Sequence, residues 1–406
     1  MINSPARVKT AHFCRFIKKQ PPFFLVILVL FILISCLKSA ENTEEIVIEP
    51  LAIDPLLIRA GEIISEMDDR LLVSQILISG IDGRETLPSN MTALLTEIPA
   101  GGIMLFKYNL NTDNEKIKGF IKETADLIIE ISAVVPFFAV DHEGGSVNRF
   151  MPGTADLRAA SEYWDIFMAE GKDAALEKIK ADSEKAAKEI SELGINMNFA
   201  PVAEHLMDEN RIFLARRSYG PDPVFAGEAA SAFLKGMENS NVLCVVKHFP
   251  GSAGLDPHYS ASELNIDNDA LLEIVTPFIT TIQNGARAIM AAHTIVTPLD
   301  TKIASLSSAV MIDYLRGVLG FEGIIISDDF IMAAAGNLSP EESAVLSIAA
   351  GSDMILVWPA HLKKTHDAFL SSLEDGRLSR ERLKDAATRV IYEKLRIGLI
   401  NFEESP

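Results

Sequence analysis

Short apolar runs recur along this 406-residue chain, and stretches with helical periodicity separate them. The runs have the length and the β-branched content of buried strands. In chain order the eight runs are Gln75–Ser79, Gly102–Phe106, Pro136–Val140, Ile195–Phe199, Val242–Val246, Arg287–Ala291, Gly323–Ile326 and Asp353–Val357. Eight strands that alternate with helices predict an α/β fold, a single (β/α)8 barrel of the TIM type. A doubly wound open sheet is the competing fold.

The domain organisation follows from the absence of interruptions after about Ala52. No linker, low-complexity tract or abrupt change of composition occurs there, so residues 55–406 are predicted to form one catalytic barrel domain. Helical periodicity predicts a lead-in helix over about Pro55–Met67 and a closing helix over Ser379–Leu395. The gap between the third and fourth strands is long, which predicts an extra excursion around Phe150–Tyr163.

Residues 1–35 have the parts of an export signal. Phe23–Ile34 is wholly apolar, basic residues precede it, and the run is shorter than the ~20 residues that span a bilayer. Leu33-Ile34-Ser35-Cys36 resembles a bacterial lipobox, which implies cleavage before Cys36 and acylation of its sulfur. Residues 36–54 are polar and acidic and are predicted to be a tether. We expect an exported protein, lipid-anchored to the cell or outer membrane on the periplasmic or extracellular face; a plain signal peptide and an uncleaved anchor are the alternatives.

Charge and cysteine content exclude some partners. The net charge of −19 argues against nucleic acid and against a basic membrane-binding face. Of the 3 cysteines, Cys14 lies in the signal and Cys36 is the predicted lipidation site, so only Cys244 stays in the mature domain and no disulfide framework is available. No cluster of His, Cys and Asp has the spacing of a metal site, so no metal or cofactor is expected.

Polar residues follow four of the predicted strands. They are Asp141 to Gly145 after the third, Lys247 and His248 after the fifth, His293 and Thr294 after the sixth, and Ser327 to Asp329 after the seventh. Any one group is also a common helix N-cap. Because the active sites of such barrels lie at the carboxyl ends of the strands, we expect these groups to converge on one pocket. Asp328 is expected to project into the barrel mouth, and Asp329 to point away.

The fifth strand leads into Asp256-Pro257-His258, which has the composition of a general acid/base pair. In an extended segment residues two apart share one side, and Pro257 favours the extended form of Asp256. A carboxylate beside an imidazole gives a proton donor near neutral pH. With Asp328 as nucleophile, this pair supplies the two roles of a retaining glycosidase. The predicted anchors for sugar hydroxyls are Asp141, Arg149, Arg217, Lys247 and His248, while His293 either lines the pocket or bonds a neighbouring loop.

Four motifs occur in a recognisable order. They are Val140-Asp-His-Glu-Gly-Gly-Ser-Val-Asn-Arg-Phe, Arg217-Ser-Tyr-Gly-Pro-Asp-Pro, Lys247-His-Phe-Pro-Gly and Ile326-Ser-Asp-Asp-Phe. Together they resemble glycoside hydrolase family 3, in its β-N-acetylglucosaminidase (NagZ-like) branch, over about Leu71 to Leu399. The resemblance implies a barrel enzyme that removes terminal β-linked N-acetylglucosamine, as from peptidoglycan fragments, through a covalent intermediate and without a metal or organic cofactor. It implies that Asp328 is the nucleophile, that His258 with its partner Asp256 is the acid/base, and that the five anchors bind sugar.

The chain departs from this branch in two places. The branch has a second histidine after the Lys-His-Phe-Pro-Gly motif, where this chain has Ser252, and the loop before Asp256 is shorter. Glu204 stands where the branch usually has Asp, a change expected to be tolerated. The shorter loop is expected to affect the turnover rate and the leaving-group preference more than the reaction class.

Other functions stay open on the residues. A phosphorylase, in which phosphate replaces water in the second step, is compatible with a histidine acid/base because no carboxylate then repels phosphate. A sugar-binding lipoprotein without turnover is a second alternative. A Schiff-base aldolase would require Lys247 to lose its proton. The first hypothesis is a monomeric, lipid-anchored, retaining exo-β-N-acetylglucosaminidase.

Overall fold

In a computed structural model of the chain, the residues described are 54–254, 262–330 and 338–402. Their strands are β1 Leu77–Gly80, β2 Gly102–Leu105, β3 Phe137–Val140, β4 Met197–Asn198, β5 Leu243–Phe249, β6 Ser262–Leu264, β7 Ala288–Ala291, β8 Thr294–Val296, β9 Ile324–Ser327 and β10 Ile355–Val357. Eight of these described strands form one parallel sheet in the order β10-β1-β2-β3-β4-β5-β7-β9. A parallel bridge between Ile326 of β9 and Met354, next to β10, brings the two edges together. This confirms the predicted barrel and excludes the open sheet.

Helices follow the barrel strands and surround the sheet. In the described residues they are α1 Pro55–Ser65, α2 Asp69–Gln75, α3 Ser89–Glu97, α4 Lys107–Leu110, α5 Asn114–Ser132, α6 Ala160–Glu170, α7 Lys172–Glu192, α8 Arg211–Leu214, α9 Pro223–Glu238, α10 Asn268–Gln283, α11 Pro340–Ala350, α12 Pro359–Glu374 and α13 Arg380–Arg396. Short 3-10 helices span Ala215–Arg217 and Ala304–Leu306, and a π-helix spans Ala309–Val318. Several of the α-helices begin at a polar cap: the side chains of Asp113, Asp222 and Ser379 accept first-turn N–H groups.

The core has two layers because successive side chains of a strand point to opposite faces of the sheet. Phe137 and Ala139 of β3 pack inside the barrel, while Phe138 and Val140 pack outward against the helices. Val390 and Ile397, in and next to α13, join the inner layer. Side chains therefore fill the barrel interior, and a ligand site has room only beyond the strand ends.

Two elements were not predicted, and one was longer than predicted. β6 and β8 pair in parallel outside the barrel; each has only three residues, too few for a clear alternation pattern. β5 continues past Val246 to Phe249, with a register irregularity between these residues. The predicted excursion after β3 is present: an irregular segment and α6 precede the long helix α7.

The predicted signal peptide, Cys36 and the acidic tether lie outside the described residues, so the boundaries at residues 35/36 and 54/55 stay predictions. Within residues 54–254, 262–330 and 338–402, no helix has both the length and the apolar character required to cross a membrane.

Candidate active site

A cavity of about 290 Å³ lies at the carboxyl ends of the barrel strands. The lining residues are Met104, Phe106, Asp141, Val147, Arg149, Phe199, Phe213, Arg217, Lys247, His248, Met290, Asp328, Asp329, Leu356, Val357 and Trp358. The predicted nucleophile and all five predicted sugar anchors are among them. Since these residues come from strands far apart in sequence, closure of the barrel is what brings them together.

One wall of the cavity is a chain of ion pairs, which we call the charged wall. The carboxylate of Asp141 accepts from Arg149 Nη2 at 2.6 Å and from Lys247 Nζ. Lys247 Nζ also donates to Glu143 Oε1 at 2.7 Å. Glu143 accepts from Arg217 through Nε at 2.7 Å and Nη2 at 2.8 Å. Three cations thus share two carboxylates, a polar surface suited to the hydroxyl groups of a sugar.

The groups of the charged wall hold one another ionised. Burial alone lowers the pKa of Lys247, but the charges of Asp141 and Glu143 raise this pKa above its ordinary value. Burial alone raises the pKa of Glu143, and the charges of Lys247 and Arg217 bring it well below its ordinary value. Lys247 therefore stays a cation at neutral pH, which argues against a Schiff-base aldolase, since that chemistry needs a neutral amine.

Asp328 follows β9 directly and lines the cavity. Its Oδ1 accepts from the backbone N–H of Asp329 at 2.8 Å. Burial alone would raise the pKa of Asp328, but the imidazoles of His293 and His248 and the Asp329 N–H lower this pKa below its ordinary value. The side chain is consequently a carboxylate at neutral pH, the state that a nucleophile requires.

Asp329 lines the same cavity, so the prediction that it points away was wrong. The strand ends at Ser327, and the alternation of strand side chains does not extend to residues beyond that end. The carboxylate of Asp329 accepts from the indole N–H of Trp358.

His293 is buried behind this position and does not line the cavity. Its Nε2 donates to the carbonyl of Asp329 at 3.1 Å, and its Nδ1 lies 2.7 Å from Ser305 Oγ. Burial lowers the pKa of His293 although the charge of Asp328 opposes this shift, and the lowered pKa favours the neutral ring, in which Nδ1 accepts from the serine hydroxyl. Of the two predicted roles, the structure favours the bond to a neighbouring loop.

Glu204 lies behind His248 and was not predicted to be a site residue. Its Oε1 accepts from His248 Nδ1 at 2.7 Å, and its Oε2 accepts from the N–H and hydroxyl of Ser252 at 2.6 and 2.5 Å. Burial raises the pKa of Glu204, but the bonds from His248 and Ser252 lower this pKa below its ordinary value. The carboxylate thus holds the His248 ring by Nδ1 and leaves Nε2 for a ligand. The sequence signal that could have identified Glu204 as a site residue is its position a few residues beyond the end of β4.

The predicted acid/base pair, Asp256 and His258, lies outside the described residues. Close to that segment on either side, Ser262 Oγ accepts from the N–H of Ala253 at 3.0 Å and donates to its carbonyl at 2.9 Å. The roles of Asp256 and His258 stay predictions from the sequence.

Sequence inspection for polar residues also missed aromatic side chains of the cavity. Phe106 and Trp358 directly follow β2 and β10, and Phe213 lies beneath the guanidinium of Arg217, 4.8 Å from ring centroid to Cζ. Met290 packs in the inner barrel layer and also lines the cavity. Aromatic residues directly after the strands were the sequence signal for this part of the cavity, but large apolar residues at such positions usually belong to the hydrophobic core.

Comparisons with known proteins agree with this geometry. Residues 72–392 match the glycosyl hydrolase family 3 N terminal domain. A β-hexosaminidase of Chromobacterium violaceum is 32% identical over 295 residues, which are 69% of this chain and 77% of that protein. A β-hexosaminidase of Hydrogenovibrio crunogenus is 32% identical over 305 residues, 73% of this chain and 82% of that protein.

Solved structures show the same similarity. A glycoside hydrolase family 3 β-N-acetylglucosaminidase from Paenibacillus sp. superposes with a TM-score of 0.76 at 27% identity, over 84% of this chain and 64% of that one. NagZ from Neisseria gonorrhoeae, in complex with N-trifluoroacetyl-D-glucosamine, superposes with a TM-score of 0.67 at 29% identity, over 78% of this chain and 89% of that one.

Proposed function

The chain belongs to glycosyl hydrolase family 3, and on that premise we propose that it is a retaining exo-β-N-acetylglucosaminidase. Its substrate is a glycan with a terminal β-linked N-acetylglucosamine, such as a peptidoglycan fragment. The sugar is inferred from relatives named β-hexosaminidase and from a neighbour that binds N-trifluoroacetyl-D-glucosamine. The reaction type is inferred from the geometry of this chain.

The observation that carries the proposal is the ionised Asp328 carboxylate at the cavity, with the charged wall around it. In the strand order, β9 lies four positions around the ring from β3, so Asp328 and Asp141 enter the cavity from opposite sides. A pyranose held by its hydroxyls against the charged wall therefore presents its anomeric carbon toward Asp328. Pairing within the wall fixes its side chains before the sugar arrives, which reduces the entropy lost on binding.

Two displacements at the anomeric carbon account for the reaction. In the first, an Asp328 oxygen bonds to C1, the bond from C1 to the leaving oxygen breaks, and that oxygen takes a proton from His258. In the second, water attacks C1, gives its proton to His258 and releases the Asp328 carboxylate. Each step inverts C1, so the β configuration is retained. The part of His258 with Asp256 is inferred from the sequence motif alone.

Covalent trapping tests this proposal. The purified protein is mixed with a slow fluorinated N-acetylglucosaminide and digested, and the peptides are analysed by mass spectrometry. The expected result is a glycosyl adduct on Asp328, together with free N-acetylglucosamine from the ordinary substrate whether or not phosphate is added. A sugar 1-phosphate as the product would establish a phosphorylase instead. A wild type no faster than Asp328→Ala would leave only a binding protein.

We further propose that the chain is exported and anchored through an acylated Cys36. The support is the order of basic residues, the apolar run Phe23–Ile34 and the lipobox-like end of that run. Metabolic labelling with a radioactive fatty acid and membrane fractionation test it. Cys36→Ser should lose the label and leave the membrane fraction, while Cys14→Ser, altered within the signal, serves as the matched control. A Cys36→Ser variant that keeps its label would refute the anchor.

We also propose that the catalytic domain acts as a monomer. The charged wall and Asp328 belong to one chain, so a second copy is not needed to complete the described part of the cavity. Light scattering on the detergent-solubilised protein, corrected for the micelle, should give the mass of one chain, and a dimer mass would contradict the proposal.

A further inference from the structure

Three aromatic side chains stand together at the rim of the cavity, and we call them the aromatic wall: Phe106, Tyr108 and Trp358. The rings of Phe106 and Trp358 stack with centroids 4.7 Å apart and planes 8° apart. Those of Phe106 and Tyr108 lie 5.9 Å apart at 9°. Phe106 and Trp358 line the cavity, while Trp358 and Tyr108 are 36% and 45% exposed. Parallel ring surface thus continues from the cavity toward solvent.

Hydrogen bonds fix the positions of the two rings that follow β2, those of Phe106 and Tyr108. The hydroxyl of Tyr108 donates to the carbonyl of Ile81 at 2.6 Å. The side chain of Asn109 accepts from the N–H of Phe106 at 2.8 Å and donates to the carbonyl of Ile81 at 3.0 Å. β1 lies between β10 and β2 in the sheet and ends at Gly80, where a Cβ would lie only 3.2 Å from the Phe106 ring. The wall is therefore fixed without a ligand, which favours stacking at low entropic cost.

Trp358 also connects the wall to the reacting end of the cavity. Its indole N–H donates to the carboxylate of Asp329, the residue after the nucleophile Asp328. This bond fixes the position of the ring and uses its polar N–H group, so that what remains accessible is apolar ring surface. Such a surface suits the C–H face of a pyranose better than its hydroxyl edge.

The strand order separates the aromatic wall from the charged wall. Phe106 and Trp358 follow β2 and β10, which flank β1, whereas the charged wall belongs to the segments after β3 and β4 and to β5 itself, the next three strands around the ring. A cavity of about 290 Å³ is at the low end of small-molecule pockets and has room for one monosaccharide. If that sugar is held by the charged wall, the next ring of the substrate has to lie at the rim.

We propose that the aromatic wall binds the leaving-group sugar by stacking, with Trp358 as the contacting ring and Phe106 as its support. This inference rests on the proposed function and extends it to the second sugar of the substrate. The chemistry recognised is a pyranose face on the leaving side, which N-acetylglucosamine and N-acetylmuramic acid both offer.

Substrates that share the cleaved sugar and differ in the leaving group test this inference. N-acetylglucosaminyl fluoride has no leaving-group ring, whereas chitobiose and a disaccharide ending in N-acetylmuramic acid have one. For Trp358→Ala we expect kcat/KM to fall about 10- to 100-fold on the disaccharides. On the fluoride the fall should be clearly smaller than on the disaccharides, because the fluoride has no leaving-group ring to stack on Trp358. A larger loss on one disaccharide identifies which leaving sugar the wall prefers.

Trp358→Phe and Phe106→Leu are the companion variants. Trp358→Phe keeps a ring but loses the N–H bond to Asp329, so it should retain most of the disaccharide rate; Phe106→Leu should lose part of it. Equal losses on fluoride and disaccharides would overturn the inference, because the wall would then act on the cleaved sugar or on Asp329. An unchanged Trp358→Ala would overturn it as well. A wild type that releases no N-acetylglucosamine from any of these substrates would instead refute the proposed function.

Discussion

Replacement of Lys394 by methionine is expected to stabilise the protein, and to do so most strongly below pH 7. Lys394 belongs to α13 and is fully buried. Its Nζ donates to Gln75 Oε1 at 2.9 Å and lies 5.2 Å from the centroid of the Phe137 ring. No carboxylate is bonded to it in the described part of the chain. Phe137 begins β3, so the ammonium group lies at the end of the barrel remote from the cavity.

The sign and size of the effect follow from the pKa of Lys394, which burial lowers from its ordinary 10.5 to about 7. The unfolded chain keeps the proton up to about pH 10.5, so between these values it binds more protons than the folded chain. Stability therefore rises with pH in this window, and the full cost applies below pH 7. At about 1.4 kcal/mol per pKa unit, that cost is about 5 kcal/mol.

Lys394→Met removes this cost but also loses two favourable contacts of the lysine. Loss of the bond to Gln75 costs about 1 kcal/mol, and loss of the ammonium–ring contact costs about as much again. We therefore expect Lys394→Met to unfold with a free energy roughly 2–4 kcal/mol higher at pH 6. Its advantage should shrink by about 3 kcal/mol at pH 9, where the wild-type lysine is already neutral in the folded chain.

Urea unfolding at pH 6 and pH 9, followed by circular dichroism, measures both quantities. Gln75→Leu combined with Lys394→Met controls for the amide left unpaired, and kcat/KM should be unchanged because the site is at the other end of the barrel. A variant that is less stable than wild type at pH 6, or an advantage that does not depend on pH, would refute the reasoning about the buried ammonium.

Three further predictions concern the site. Asp328→Asn should lower kcat/KM by about 10⁴-fold or more with an unchanged melting temperature, and residual activity above one hundredth of wild type would rule out Asp328 as the nucleophile. Glu143→Gln leaves Arg217 without its buried carboxylate partner and should lower the free energy of unfolding in urea by about 3–5 kcal/mol. Glu162→Gln breaks an exposed ion pair and should lower it by under about 1 kcal/mol. Similar losses in the two variants would contradict the importance of burial. Because the pKa of Glu204 lies below 4.5, its contribution to stability is present above pH 4.5 and is lost as the pH falls; the melting temperature of Glu204→Gln should accordingly change less than that of wild type between pH 6 and pH 3.5.

Local pattern in the sequence predicted the barrel. Strand alternation and helical periodicity are properties of neighbouring residues, so all eight barrel strands could be placed, although β5 extended to Phe249 and the three-residue strands β6 and β8 escaped notice. The same rule predicted that Asp328 and the five proposed sugar anchors would meet at one cavity, because the carboxyl ends of barrel strands converge. It misplaced Asp329, which lies beyond the end of β9, where strand alternation no longer applies.

Sequence alone determined which residue types stand at the strand ends, and with them the fold class and the carboxylate chemistry of Asp328. Tertiary structure alone decided how those residues pair: Arg217 with Glu143, Glu204 with His248, and Phe106 with Trp358 across the end of β1. The physical reason is the separation along the chain over which each kind of interaction acts. Periodicity is set by bonds along a few residues, whereas these contacts join segments 44 to 252 positions apart, which meet only because the sheet closes on itself.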